Sequence, residues 1–234
     1  MSWYPLSLRF TLHPSLLLHF TLTLTLTLTL TLTPTLTPTH AHTSITMSQA
    51  DINAFVNSAF NDTLTPQGVT TAVVTRGIPV NGRHKSAWNV TALHHTVLSK
   101  RRELVVALVA AGADANVTNL FGKTPMWWGA AYSTADILQL LINSGGSVNE
   151  PDNYGQTPLI ALVRYNCNDA PARLQVLLAR PELDLDAKYD GRTAEEWAVR
   201  RGHPEFAAAI ADERRRRVRW SIVRCAWIAA TARA

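Results

Sequence analysis

From Ser48 onward, apolar residues recur at helical spacing in short bursts, each broken by Gly, Pro or a cluster of Asn, Asp and Ser. The clearest burst is Asn119–Asn149. Thr124 offers a hydroxyl to cap a helix whose first position is Pro125, where the missing N–H loses nothing. After a break at Ser133-Thr134, Ile137, Leu138, Leu141 and Ile142 form one helical stripe with Asp136 in its first turn, where the helix dipole favours a carboxylate. Gly145 can take positive φ and stop that helix. The pattern predicts helix, turn, helix, turn. Two helices this short cannot bury their apolar faces alone, so the unit requires neighbours.

The neighbours follow a fixed period. Thr91, Thr124 and Thr157 are 33 residues apart, and so are the pairs Gly112 and Gly145, and Asn116 and Asn149. Upstream, Ile52, Phe55, Val56, Ala59 and Phe60 form a stripe, Pro66 opens a second helix with Val69, Ala72 and Val73 inward, and Gly77 to Asn81 repeats the spacing of Gly112 to Asn116. Asn57, Asn61 and Asp62 give this first unit the polar outer face of a terminal cap. Downstream, a unit opens on Asp152–Thr157, but the stretch Asn166–Arg173 adds three residues between its helices, so the next marker, Thr193, comes 36 later. Arg180-Pro181 replaces the usual Gly stop, which leaves the register between Pro181 and Asp190 open by one residue. The final unit keeps Gly191, Thr193 and Gly202-His203, ends in a helix from Pro204 to Ile210, and is polar at Glu195, Glu196, Arg200 and Arg201.

This spacing, with the phrases TALHHTV, TPMWWGAA and TPLIALV, resembles the T-P-L-H-x-A signature of ankyrin repeats. The resemblance implies an all-α solenoid of stacked helix-turn-helix units joined by short β-hairpin-like loops. Its units are a capping repeat at 47–81, repeats at 86–117, 119–150 and 152–186, and a C-terminal repeat at 188–213. It also implies a structural hydrogen-bonding role for His94, and a binding surface on the hairpin tips and the exposed side of the first helices. The tip is the third residue before each repeat threonine: Trp88, Phe121, Tyr154 and Asp190. The helix row pairs Leu98 with Ser99, Ala131 with Tyr132, Arg164 with Tyr165, and Arg200 with Arg201, and Trp128 lies one turn before Tyr132. Tyr and Arg are enriched among residues that dominate binding energy. The competing expectation is that tip aromatics pack on neighbouring hairpins and that Trp127 and Trp128 fill gaps between helices; for Trp127 burial is favoured over contact. These two tryptophans depart from the family pattern.

Charge divides the chain. Met47–Glu213 carries 14 Lys and Arg against 17 Asp and Glu, whereas Arg214–Ala234 carries seven Arg and no acid. The repeat body therefore gives no electrostatic support for nucleic-acid binding. The tail, with Trp220, Ile222, Val223, Trp227 and Ile228 beside its arginines, is compatible with a solvated helix extension, a nuclear-import signal, an anionic-membrane helix or a partner-binding peptide. Residues 1–46 are dominated by alternating Thr and Leu and admit three readings: a strand, a targeting segment, or translated non-coding sequence ahead of a start at Met47. The last, with disorder if the segment is made, is favoured. Cys167 and Cys225 form neither a disulfide framework nor a metal cluster, a reducing compartment is the easier reading, and the sequons at Asn61, Asn89 and Asn116 matter only to a secreted chain. His94 and His95 are adjacent, with no partner at metal-pair spacing, and no GxSxG, HExxH or GxxxxGK pattern occurs. The expectation is a non-catalytic, monomeric protein-binding module without cofactor or metal, cytoplasmic or nuclear, for an unidentified protein partner. The alternatives are an adaptor addressed by its tail to an import receptor or membrane, and a degenerate or fragmentary gene product with no specific partner.

Overall fold

The computed structural model describes residues 47–165 and 169–231, with side chains as far as Arg224 apart from Val223. The readings placed on segment 1–46 and on Cys167 lie outside these residues. Helices come in pairs: α1 (Gln49–Phe60) with α2 (Pro66–Thr70, continued by a π-helical turn Thr71–Thr75), α3 (Ala92–Leu98) with α4 (Arg102–Ala110), α5 (Pro125–Tyr132) with α6 (Ala135–Asn143), α7 (Pro158–Tyr165) with α8 (Ala170–Leu178), and α9 (Ala194–Arg200) with α10 (Pro204–Thr231). The first helices stack on one another, and the second helices form a parallel layer behind them. The fold is an all-α solenoid. Its one described sheet is the hairpin β1 (Lys188–Tyr189) and β2 (Arg192–Thr193), pairing Lys188 with Thr193 and Tyr189 with Arg192. That pairing settles the register left open before Asp190, with Asp190-Gly191, both at positive φ, as a two-residue turn.

The stripes read from the sequence enter the core: Phe55, Val56, Ala59, Val69, Ala72, Ile137, Leu138 and Leu141 are buried, while Ile52, Val73 and Ile142 are half-buried. Leu93, Val97, Leu104, Leu108, Met126, Leu159, Leu162, Leu174 and Leu177 complete the core between the two layers. Thr124 Oγ1 accepts from the Trp127 amide at 3.0 Å, the cap expected of it. Phe60 departs from its stripe: it is exposed and meets only the edge of His95, at 4.8 Å between centroids.

The 33-residue period has a physical cause beyond the core. Asn81, Asn116 and Asn149 each reach into the next repeat. Asn116 donates from Nδ2 to the Gly145 carbonyl at 2.9 Å and accepts from the Ser147 amide at 2.7 Å; Asn149 repeats this with Glu182 and Asp184, and Asn81 with Gly112 and Asp114. A side-chain amide supplies a donor and an acceptor at once, so one residue satisfies two backbone groups of the following loop. Asn116 is thereby committed on both atoms and unsuited to carry a glycan. Gly146 follows the stop at Gly145 because an added Cβ would meet the Leu141 carbonyl oxygen at 2.8 Å and Met126 Cε at 2.7 Å.

The insertion in the third repeat is held by polar contacts. Asp169 Oδ2 accepts from the Ala135 amide at 3.0 Å, capping α6 from the neighbouring repeat, and the buried Arg173 donates to the Ala130 carbonyl at 2.6 Å. At the C-terminal end the last helix runs past Ile210 to Thr231, in line with the helix extension among the readings of the tail. Two arginines of the basic run face the repeats. Arg217 donates to the carbonyls of Arg180 at 2.7 Å, Pro181 at 3.2 Å and Leu183 at 2.6 Å, and to Glu213 at 2.8 Å. Arg214 bonds the Leu185 carbonyl at 3.1 Å and pairs with Asp186 at 3.0 Å and with Glu195. Beside Asn149, which bonds Glu182 and Asp184, these guanidinium groups satisfy other carbonyls of the loop after α8.

Candidate partner-binding surface

Hairpin tips are linked along the stack. The Leu120 amide donates to the Trp88 carbonyl at 2.9 Å, and the Asn153 amide to the Phe121 carbonyl at 3.0 Å. The tips are of two kinds, one in the two middle repeats and the other in the repeats on either side. Where an Asn or Asp stands five residues before the threonine, its side chain accepts two backbone amides: Asn119 takes those of Phe121 and Lys123, and Asp152 those of Tyr154 and Gln156, all within 2.9–3.0 Å. Gly122 and Gly155 then supply the positive φ. Where Ser86 or Lys188 stands instead, two adjacent residues take positive φ, Trp88-Asn89 and Asp190-Gly191. Trp88 thus holds a conformation unusual for a bulky side chain.

The tip residues do not behave as one ladder. Trp88, 60% exposed, lies 6.3 Å from the half-buried Phe121 ring. Tyr154, 66% exposed, has no ring contact among the described residues, and Asp190 pairs with Arg192 of its own hairpin at 3.1 Å. Backbone bonds, rather than stacked rings, join the tips.

The helix row does converge. Tyr132 and Tyr165 stand 5.2 Å apart between ring centroids, and Trp127 lies edge-on to both at 6.2 and 5.7 Å. Lys123 Nζ sits 3.9 Å over the Trp127 ring. Burial pushes the Lys123 amine below its ordinary value, against the opposing pull of Asp152. Arg164 donates to Gln156 Oε1 at 3.1 Å and lies 4.5 Å from the Tyr189 ring and 4.9 Å from that of Trp197, while Arg200 lies 5.4 Å from Trp197. Tyr132, Arg164, Tyr165 and Arg200 therefore belong to one aromatic and cationic strip across the last three repeats. Tyr165 is 39% exposed on it, and Arg200 and the adjacent Arg201 are exposed at its end.

Trp128 turns away from that strip. Its ring meets His94 of the preceding repeat at 5.7 Å, and its indole N–H is buried without a hydrogen-bond partner among the described residues. Trp127 is 1% exposed, as its burial expectation required, and it takes over a specific bond. In the preceding repeat, His94 Nδ1 accepts from the Thr91 amide at 3.2 Å, which makes Nε2 the donor to the Lys123 carbonyl at 3.0 Å. One repeat later, Trp127 Nε1 donates to the Gln156 carbonyl at 2.9 Å. Burial holds His94 neutral, with its pKa lowered to about 4.

The sequence reading missed Lys123, Tyr189, Arg192 and Trp197 in this strip. Lys123, Gln156 and Arg192 each immediately precede a repeat threonine, so the same period identifies that row. Among the described residues, no cluster of His, Cys, Asp and Glu is placed to hold a metal ion, and no helix is long and apolar enough to cross a membrane.

The family model for ankyrin repeats (3 copies) matches residues 93–171 and 130–217, together just over half of the chain. Human transient receptor potential cation channel subfamily A member 1 is 30% identical over 116 residues, which cover 49% of this chain and 10% of that protein. Neurogenic locus notch homolog protein 1 of Xenopus tropicalis is 39% identical over 79 residues, or 33% of this chain and 3% of that protein. Caenorhabditis elegans protein lin-12 is 30% identical over 120 residues, 47% and 8% respectively. The chain spans a tenth or less of the length of these relatives. The shared period, the threonine caps, the His94 bond and the family match lead to one conclusion: the chain belongs to the ankyrin-repeat family, whose repeats are generally protein–protein interaction modules and typically non-catalytic.

Proposed function

We propose that this chain acts as a rigid, non-catalytic module that binds a protein partner along the exposed side of its first helices, with the hairpin tips as a secondary contact. The observation that carries this reading is the strip of Tyr132, Tyr165, Arg164 and Arg200. Aromatic and arginine side chains are held there by neighbours within the stack, so a partner meets them already ordered and little conformational entropy is lost. The tail-addressed alternative has less support. An extended import signal requires Arg214–Arg219 to leave the helix, and that would break the bonds of Arg214 and Arg217 to the repeats.

The test is capture of cellular proteins on the full chain, run beside Tyr165→Ala with Arg200→Ala and beside Phe121→Ala with Tyr154→Ala. A partner using the strip is lost from the first variant, and one that also uses the tips is weakened by over about 2 kcal/mol in the second, with both variants still folded by circular dichroism. Equal retention by all three proteins overturns the assignment.

A further inference from the structure

Beyond that surface, we infer that the free half of α10 and the end of α8 form a second docking site, for an acidic, extended protein segment that also carries apolar side chains. From Val218 onward every described side chain of α10 is exposed, Trp220 at 68%. The crevice beneath has Leu178, Ala179 and Pro181 on one wall and Arg216, Arg217, Trp220 and Arg224 on the other, with Glu213, already paired to Arg216 and Arg217, between them; Arg219 lies outside it, next to Arg215 and Trp220. Arg214 and Arg217 are committed to the repeats, and Arg215 and Arg216 to Asp212 and Glu213. Arg219 and Arg224 carry no ion pair among the described residues, and no acid follows Glu213 in the sequence to supply one. Their charge calls for carboxylates, and Trp220 with Pro181 and Leu178 calls for apolar contact beside them.

Other anions fit less well. Val218 and Ile222 share one side of α10, flanked by Arg215 and Arg219, with Trp220 turned away from them, so the described apolar side is two residues wide and too small to seat the helix in a bilayer. The outward side that a nucleic-acid backbone would meet presents Val218 and Ile222, 54% and 63% exposed, between its cations. A crevice with apolar residues on one wall and arginines on the other suits a single extended chain that carries both kinds of side chain.

The experiment uses the full chain and a fluorescein-labelled peptide of alternating Glu and Leu, followed by fluorescence anisotropy at about 0.15 M salt. Phosphatidylserine-containing vesicles and a single-stranded oligonucleotide serve as competing probes. Arg219→Glu with Arg224→Glu is expected to weaken peptide binding about tenfold or more. Trp220→Ala should weaken it without changing its salt dependence. Both leave the fold intact by circular dichroism, because these side chains are exposed and make no hydrogen bond or ion pair to the body among the described residues, and Tyr165→Ala leaves peptide binding intact. Failure here is thus separable from failure of the strip. Peptide binding that is absent or unaffected by charge reversal overturns the proposal, as does stronger binding of the vesicles or the oligonucleotide.

Discussion

Replacing Arg217 by Met keeps most of the aliphatic stem and removes the guanidinium that closes the C-terminal end of the stack. The side chain makes three bonds to backbone carbonyls, the two shortest being part-buried, and a fourth to Glu213, which is buried and retains Arg216 as a partner. A part-buried hydrogen bond to a charged group contributes roughly 1–1.5 kcal/mol after allowance for solvent, and the loss of a cation from the C-terminal end of α8 adds up to about 1 kcal/mol. The expected cost is about 3 kcal/mol. With a urea slope of about 2 kcal/mol per molar, that shifts the midpoint down by about 1.5 M. Stability in a repeat stack is a sum of local terms, so the loss concentrates in the last repeat and raises amide exchange in α9 and α10 before α5 or α6. Arg219→Met, on the same helix with no contact to the body, should change stability by less than about 0.5 kcal/mol. If Arg217→Met and Arg219→Met give the same urea midpoint, the clamp does not hold α10 to the repeats.

Three further outcomes are expected. His94 is neutral in the fold and titrates at about 4 rather than near 6.5, so the unfolded chain binds more protons between those values; stability is full above pH 6.5 and falls as the pH drops toward 4, by up to about 1.4 kcal/mol per unit. Urea midpoints for wild type and His94→Gln, compared at pH 7 and pH 5, should show a shallower pH dependence in the variant. Trp127→Phe keeps an aromatic but smaller ring and leaves the Gln156 carbonyl without its donor, lowering stability by about 1–3 kcal/mol or more by thermal melting, whereas a loss below the noise would remove the bond from any structural role. Asn116→Ala severs both links to the next repeat and should cost about 1–2 kcal/mol in urea, against little change for Asn57→Ala on the polar outer face.

Much of the fold was legible because it is local and periodic. Thr124, Pro125 and Gly145 act through their own backbone conformations, and the Leu and Ile stripes bury the face their spacing defines. A repeated caps-and-stripe pattern can form only a stack, so the sequence alone determined the helix pairs, their number in the described stretch and the core. Contacts between repeats were a different matter. That Trp127 donates the bond its counterpart His94 donates one repeat earlier, while Trp128 turns back toward His94, depends on how adjacent helices face each other, and two adjacent tryptophans read the same in sequence. Trp88, Phe121 and Tyr154 share a position in the period, yet Trp88 sits on a turn of different backbone geometry, where Ser86, a weaker former of such turns, stands in place of the Asn119 and Asp152 that accept two amides each. The basic run was the hardest to read. Its arginines are equivalent as letters, and only the packing of α10 against the loop after α8 divided those described into two that clamp the stack, two that pair along the helix with Asp212 and Glu213, and two, Arg219 and Arg224, that carry no ion pair among the described residues. A helix turns 100° per residue, and the neighbouring surface decides which side is wall and which is water.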